Sequence, residues 1–340
     1  MGRTAPTLRA RDVIPGEVVE VRPRAADPGW ADLERVLQPA PGRRRPPCAF
    51  AGRCGGCHWQ QMDESTQRHW RRHRLLETLH RCGVDPTLVE PELGAPPALG
   101  YRCRVRVQVD SRGAVGFHAP GSRQVVDVDR CPLMAGELDR AYQALRAVLP
   151  AGAARVDLSG VEIIALPGGG RPLARLNPRD RPPLQWRRLA RRLIDAAGFG
   201  GIDVQGGEPP EGAPLAVGRI EGGGPVAVAL GGFVQAHLAA AEAMARWIVA
   251  AAGARPGTAI TELYAGSGFL GWRLAAAGAE VLSVESAPRA VTAAGRLPRP
   301  GRGSWSWRAE RAETFLARCP VAEVVVADPP RSGLGAALRP

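Results

Sequence analysis

The sequence predicts an α/β protein whose last third is a parallel sheet covered by helices, preceded by a mixed α/β segment and a short N-terminal β element. Three observations carry this. From residue 236 onward, strand and helix patterns alternate. A glycine loop, "AGSG" (265–268), joins one of those strands to the next helix. The middle of the chain holds a β-meander, "YRCRVRVQVDSRGAVGFHAPGSRQVVDVDRC" (101–131), in which Val105, Val107 and Val109 alternate with Arg104, Arg106 and Gln108.

Taken in order, "IPGEVVEVRPRAADPGWADLERVLQPAPGRRRPP" (14–47) reads as a short β element followed by a Pro-rich connector. "MDESTQRHWRRHRLLETLHRCG" (62–83) reads as a helix. Asp63 or Ser65 can cap its start, Leu75, Leu76 and Leu79 form an apolar face, and Gly83 stops it. A helix over 136–149 and further strands follow the meander. Then come an Ala-rich helix (237–253), strand "TAITELY", helix "FLGWRLAAAG", strand "EVLSVE", helix "APRAVTAAG", the stretch "RAETFLARC" and strand "EVVVADPP". The expected domains are 1–46, 47–235 and 236–340.

At 340 residues the chain is long enough for two or three domains, and 45 % hydrophobic residues is ordinary for a globular protein. The start, "MGRTAPTLRARD", has no apolar core of a signal peptide, and no run of about 18 apolar residues exists. A cytoplasmic, monomeric protein away from membranes is expected. The net charge is +12, with Arg as the only cationic residue besides His and no Lys. Residues 43–81 hold nine Arg against three acids. Guanidinium groups bind phosphate through paired hydrogen bonds, so a polyanion such as RNA fits; a solvated basic helix face fits the same count.

"CAFAGRCGGC" places Cys48, Cys54 and Cys57 within ten positions, and "DRCPLM" adds Cys131. In a reducing compartment such a cluster points to metal. Four thiolates suit an iron–sulfur cluster or a structural zinc, and the spacing leaves both open. Cys82, Cys103 and Cys319 sit inside helix or strand patterns and read as small buried hydrophobes.

"ELYAGSGFLG" (262–271) brings Tyr264, Gly266 and Gly268 to a strand-to-helix turn, where backbone amides can face a ligand. A Gly-x-Gly alone fits dinucleotides as well. Glu285 ends the next strand, where a carboxylate can accept from ribose hydroxyls. Asp328 ends a later strand in "ADPPRSG", whose prolines stiffen the loop and aim the carboxylate into the cleft.

Together these stretches resemble one family, the iron–sulfur-containing RNA uracil-C5 methyltransferases that use S-adenosylmethionine. The matching segments are "IPGEVVEVRP", "CAFAGRCGGCHWQQ", "YRCRVRVQV", "GFHAPGSRQVVDVDRCPLM", "GGFVQAH", "ELYAGSG", "SVE" and "DPPRSGL", in family order along nearly the whole chain. The resemblance implies a Rossmann-like methyltransferase domain, a [4Fe–4S] cluster on Cys48, Cys54, Cys57 and Cys131, and a partial oligonucleotide-binding-like (TRAM) element at the N-terminus. It implies cofactor binding by Gln235, Tyr264, Gly266, Gly268, Glu285 and Asp328. The implied substrate is a uridine in large-subunit (23S) ribosomal RNA, flipped into the pocket. A Cys thiolate adds to C6, the methyl group passes to C5, and a carboxylate removes the C5 proton. In the family that Cys follows "DPPR" in a Ser-Cys-Asn/Asp-Pro stretch, so no catalytic residue is assigned here, and nucleophile and base are expected beyond residue 340. A non-catalytic RNA- or cofactor-binding homologue is the alternative. An N-methyltransferase would carry an aromatic where Arg331 stands. Two further departures are Phe269 and His237, where relatives often carry Asn.

Overall fold

The computed structural model describes residues 7–94, 97–149, 157–179, 186–206, 209–331 and 333. The chain divides into two units, Met1–Leu93 with Val115–Pro132, and Gly94–Ala114 with Leu133–Pro340.

The first unit opens with β1 (Arg9–Ala10), β2 (Val18–Arg24) and β3 (Asp27–Gln38). β2 and β3 pair antiparallel, and β1 lies parallel to β3 with Arg9 opposite Trp30. The expected connector is therefore largely strand. β3 carries Pro28 and Gly29 at its start, next to the turn, and irregularities in the β2–β3 register absorb them. Glu17, whose side chain is 1 % exposed, pairs with Arg43 and accepts the Ile14 amide at 2.8 Å. Burial alone would raise its carboxyl; the Arg43 bond and the Ile14 and Ala40 amides outweigh that and hold it below the usual range.

α1 (Glu64–Arg81) begins at Asp63, which accepts the Thr66 amide at 2.7 Å, so Asp63 and not Ser65 is the cap. Gly83, at φ +74°, ends it, with its own amide and that of Val84 returning to His80 and Leu79. The helix buries no residue. Leu75 is 48 % exposed, so the expected apolar face is at best half-covered.

The second unit takes the chain through β4 (Arg104–Val109), where Val105, Val107 and Val109 are buried in alternation as the pattern predicts. The first unit regains it for the hairpin β5 (Val115–His118) and β6 (Val125–Asp127). The remainder lies in the second unit: α2 (Gly136–Val148), β7 (Leu158–Ile164), β8 (Leu173–Pro178), α3 (Trp186–Ala196), β9 (Gly201–Val204) and β10 (Glu211–Gly212). Strands run in the order β10-β9-β8-β7-β4. Tyr142, Leu138 and Leu145 of α2 and Leu193 of α3 are fully buried, as are Val161, Ile163 and Leu176 of the sheet.

The antiparallel pair β11 (Leu215–Arg219) and β12 (Pro225–Ala229) precedes α4 (Leu238–Ala251). Next come β13 (Ala259–Leu263), α5 (Phe269–Ala276), β14 (Glu280–Val284), α6 (Pro288–Ala294), β15 (Ser304–Arg308), α7 (Ala312–Leu316) and β16 (Val324–Ala327). These four strands form a wholly parallel sheet, β15-β14-β13-β16; the alternation predicts β13, β14 and β16, whereas β15 lies in a Pro-, Gly- and Trp-rich stretch not read as a strand. The order reverses between β14 and β16 around β13, which makes the carboxyl end of β13 a topological switch point, the usual place for a ligand in such sheets. Among the described residues, no helix is long and apolar enough to cross a membrane.

Candidate cofactor and cysteine sites

At the carboxyl ends of β13 and β14 lies a cleft of about 540 Å³, lined by Tyr264, Glu285, Ser286, Arg311, Glu313 and Pro330 among others. The sequence-predicted pair Tyr264 and Glu285 meets here. Glu285 accepts the Gly266 amide at 2.8 Å and the Ala287 amide at 2.7 Å, one on each oxygen. The Ser286 hydroxyl donates a long third bond, to Oε1 at 3.4 Å. A carboxylate has about four lone-pair positions, so one stays open and a second is freed when Ser286 yields to a ligand hydroxyl. Tyr264 holds φ +57°, rare for a side chain of its size, and its hydroxyl donates to Glu313 at 3.1 Å. Burial first, and the Glu313 bond second, push its phenol above the usual range.

The glycines have distinct duties. Gly266 (φ +57°) turns the chain and has open space where a Cβ would stand. Gly268 (φ +79°) opens α5, and a Cβ there would sit 2.3 Å from the Trp305 ring. Ser267 between them donates to the Ala227 carbonyl of β12 at 2.6 Å.

Gln235 and Asp328 do not line the described cleft. Gln235 is half-buried in the loop between β12 and α4, where its carbonyl accepts from the Cys103 thiol at 3.3 Å. Its neighbour Phe233 is 65 % exposed, with the Arg104 guanidinium 5.3 Å from its ring centre. His237 caps α4, its Nδ1 accepting the Ala240 amide at 3.3 Å, and stacks on Tyr101 at 4.4 Å. Asn is itself a good cap, so the departure keeps this local role. Asp328 is exposed directly after β16, the strand beside β13.

Three features escaped the sequence reading. Arg311 and Glu313 follow β15 and complete the cleft. "RAERAETF" carried the available signal, since a third parallel strand ends there. Beneath the glycine loop, Glu262 accepts from the Gly271 amide at 3.0 Å and from Ser283, which in turn accepts from Trp305 Nε1 at 2.8 Å. Burial pushes the Glu262 carboxyl up to about 7 against those hydrogen bonds. Finally, Arg273 of α5 and Glu242 of α4 form an ion pair with side chains 6 % and 10 % exposed.

Of the remaining cysteines, Cys103 is 2 % exposed and burial raises its thiol to about 11, as a core residue should behave. Cys319 packs against the Leu263, Val284 and Phe315 cluster. Cys82 is exposed at the end of α1 and is not the buried hydrophobe expected. None of the three lines the cleft.

Cys48, Cys54, Cys57 and Cys131 are all half-buried residues of the first unit, none of them in a disulfide. The Phe50 and Gly56 amides donate to Cys48 and Cys54 Sγ, each at 3.4 Å. Burial is the main reason the Cys54 thiol is raised; the Gly56 amide opposes that shift, and Cys57 and Cys48 add to it. Among the described residues no three His, Cys, Asp or Glu side chains stand at metal-holding positions. The donors thus fit a four-thiolate group in kind, with amides aimed at sulfur, while the loop has not drawn them to ligand distance.

The Arg-rich stretch is partly committed internally. Arg43 pairs with Glu17, Arg44 with Glu64 and Arg71 with Glu92, while Arg72 donates to the Val89 and Glu90 carbonyls.

No family model matches the chain. It is 30 % identical over 347 residues to the 23S rRNA (uracil(1939)-C(5))-methyltransferase RlmD of Chromohalobacter salexigens, covering 98 % of this chain and 73 % of that one. It is 31 % identical over 353 residues to RlmD of Pseudomonas aeruginosa, covering 96 % and 75 %. Among solved structures, the tRNA (uracil-54, C5)-methyltransferase of Pyrococcus abyssi, in complex with S-adenosyl-L-homocysteine, superposes with a TM-score of 0.67. It shares 18 % identity and covers 98 % of this chain and 82 % of that one, a likeness of fold. With 30 % identity sustained from end to end of the residues given, the chain belongs to the family of S-adenosylmethionine-dependent RNA (uracil-C5) methyltransferases.

Proposed function

We propose that this protein carries out methylation of C5 of a uridine in large-subunit (23S) ribosomal RNA, with S-adenosylmethionine bound in the cleft at the ends of β13 and β14. The observation that carries the reading is Glu285. It braces the Gly266 amide and offers the ribose hydroxyls one open acceptor position and a second now held by the long Ser286 bond. Tyr264 walls the other side, its strained backbone held by the Glu313 bond. Gly266 and Gly268 let the chain pass close to the ligand, and Gln235 and Asp328 stand on the adjoining loops. S-adenosylmethionine supplies an electrophilic methyl group; the residues of this cleft bind it and fix its direction.

Residues 48–131 supply the second part of the reading. Cys48, Cys54, Cys57 and Cys131 hold a [4Fe–4S] cluster that ties the cysteine loop to the segment after β6. Iron is favoured over zinc by the resemblance of the cysteine pattern to the iron–sulfur family; the N–H···S donation to Cys48 and Cys54 suits either metal. RNA is held in part by those arginines of 43–81 that have no internal partner here, such as Arg68 on α1.

Titration calorimetry with S-adenosylhomocysteine tests the cofactor assignment, with NAD as the competing dinucleotide. S-adenosylhomocysteine should bind, and Glu285→Ala should weaken it at least tenfold. Binding of NAD in preference, or indifference to Glu285→Ala, would refute the assignment.

A further inference from the structure

We propose that a second cleft, in the first unit, is a seat for one backbone phosphate of the substrate RNA, shaped by the cysteine loop. This rests on the reading of RNA as substrate. The cleft, about 550 Å³, is lined by Arg11, Gly55, His58 and the loop 118–123 that joins β5 to β6. No acidic side chain lines it.

The charge comes from two arginines. Arg11, next to β1, lies over the Trp30 ring, its guanidinium carbon 5.2 Å from the ring centre. Its Nε is buried without a hydrogen-bond partner. That nitrogen is enclosed, so the charge reaches the cleft through Nη2 at the Gly121 turn, where a phosphate oxygen would be a charge-assisted acceptor. Arg123 faces the cleft from an exposed loop position, and only its carbonyl is engaged internally. That carbonyl lies 3.0 Å from His118 Nδ1, so Nδ1 carries the hydrogen and His118 holds the loop's shape. His58 brings a further ring nitrogen to the wall.

Two glycines make the concavity. Gly121, at φ +65°, leaves room for Arg11, whose Nη2 would stand 3.1 Å from a Cβ there. The Gly55 amide donates to the His118 carbonyl at 2.9 Å, and a Cβ on Gly55 would come within 2.8 Å of that same oxygen. Gly55 lies between Cys54 and Cys57, so the segment that ligates metal also positions the anion loop. Paired guanidiniums in a polar concavity with no competing carboxylate suit a phosphodiester, and they contribute position along the strand, not base reading.

The test uses the full chain and a fluorescein-labelled oligouridylate, read by anisotropy across a salt series. Arg11→Ala/Arg123→Ala should bind about tenfold more weakly, and the slope of log affinity against log salt should fall by about 0.7, one single-strand phosphate contact. Arg11→Lys/Arg123→Lys should keep the slope. Arg123→Glu, at an exposed position that cannot unfold the unit, should weaken binding on its own. Equal affinity and slope in parent and double-Ala variant would overturn the phosphate seat while leaving RNA binding intact. A parent chain that does not bind oligouridylate at all would overturn the RNA reading and this proposal with it. Inorganic phosphate protecting the cleft with no effect of the variants on RNA would mark a free-anion site and also overturn the proposal.

Discussion

Glu242→Ala should destabilise the second unit by about 3–5 kcal/mol, the usual cost of leaving one member of a buried ion pair alone. The structure sets the size. Arg273 is 6 % exposed, its Nε and Nη2 donate to Glu242 at 2.8 and 2.5 Å, and its Nη1 donates to the Phe269 carbonyl at 2.7 Å and the Pro225 carbonyl at 3.3 Å. Its guanidinium carbon also stands 3.7 Å from the Phe269 ring centre. Burial pulls the Arg273 guanidinium below its usual range, and Glu242 opposes that shift; without Glu242 only the unfavourable part stays. Gly223 and Gly224 press closely on the pair: a Cβ on the first would meet Glu242 at 2.7 Å, and one on the second would meet the Arg273 guanidinium carbon at 3.3 Å. Because the pair joins α4 to α5, the helices that follow Gln235 and Gly268, the loss should also weaken S-adenosylhomocysteine binding. Equilibrium urea unfolding, followed through Trp272 and Trp305 fluorescence, measures the first effect and calorimetry the second. Glu242→Leu/Arg273→Met should cost clearly less than the sum of the single changes, since an apolar pair strands no charge. Single-variant losses under about 1 kcal/mol, or additivity in the double variant, would refute the reasoning.

Three further outcomes follow from the same geometry. Glu262 holds its proton in the folded state up to about pH 7, above its value in the unfolded chain; its own contribution to stability is therefore fully present in acid and is lost, by about 3 kcal/mol, as pH rises from about 4.5 to 7. Glu262→Gln, which keeps an oxygen to accept from Gly271 and cannot ionise, should flatten that limb in urea unfolding; an unchanged profile would count against the assignment. Both Gly266 and Gly268 hold positive φ, but Gly268→Ala must also displace Trp305 from α5's first turn, so it should lower S-adenosylhomocysteine affinity more than Gly266→Ala, which meets open space. Anaerobically purified protein should be brown with about four irons, and Cys57→Ser should bleach it; stoichiometric zinc without sulfide would contradict the cluster.

The parallel sheet was legible because its apolar strands alternate with Ala-rich helices, a pattern with no ready competitor. Tyr264, Gly266 and Glu285 were legible for a related reason: strand-end positions in such a sheet converge by topology alone. β3 was not, because Pro28 and Gly29 mark a connector unless the register irregularities of β2 and β3 are known. The α1 face failed differently. Leu75, Leu76 and Leu79 have helical spacing, yet spacing states which residues share a face and not what covers it. Glu262, Ser283 and Trp305 lie on three separate strands, so nothing local links them. The pairing of Arg43 with Glu17 spans 26 residues, and a charge count cannot see it.

The central claim is that this protein methylates C5 of uridine in large-subunit ribosomal RNA. Mass spectrometry of that RNA, digested to nucleosides and to site-defined fragments, from source cells with and without the gene tests it most directly. The account predicts that one 5-methyluridine disappears on deletion and returns with the wild-type gene but not with Glu285→Ala. An unchanged 5-methyluridine content in the large-subunit RNA of the deletion strain would contradict it.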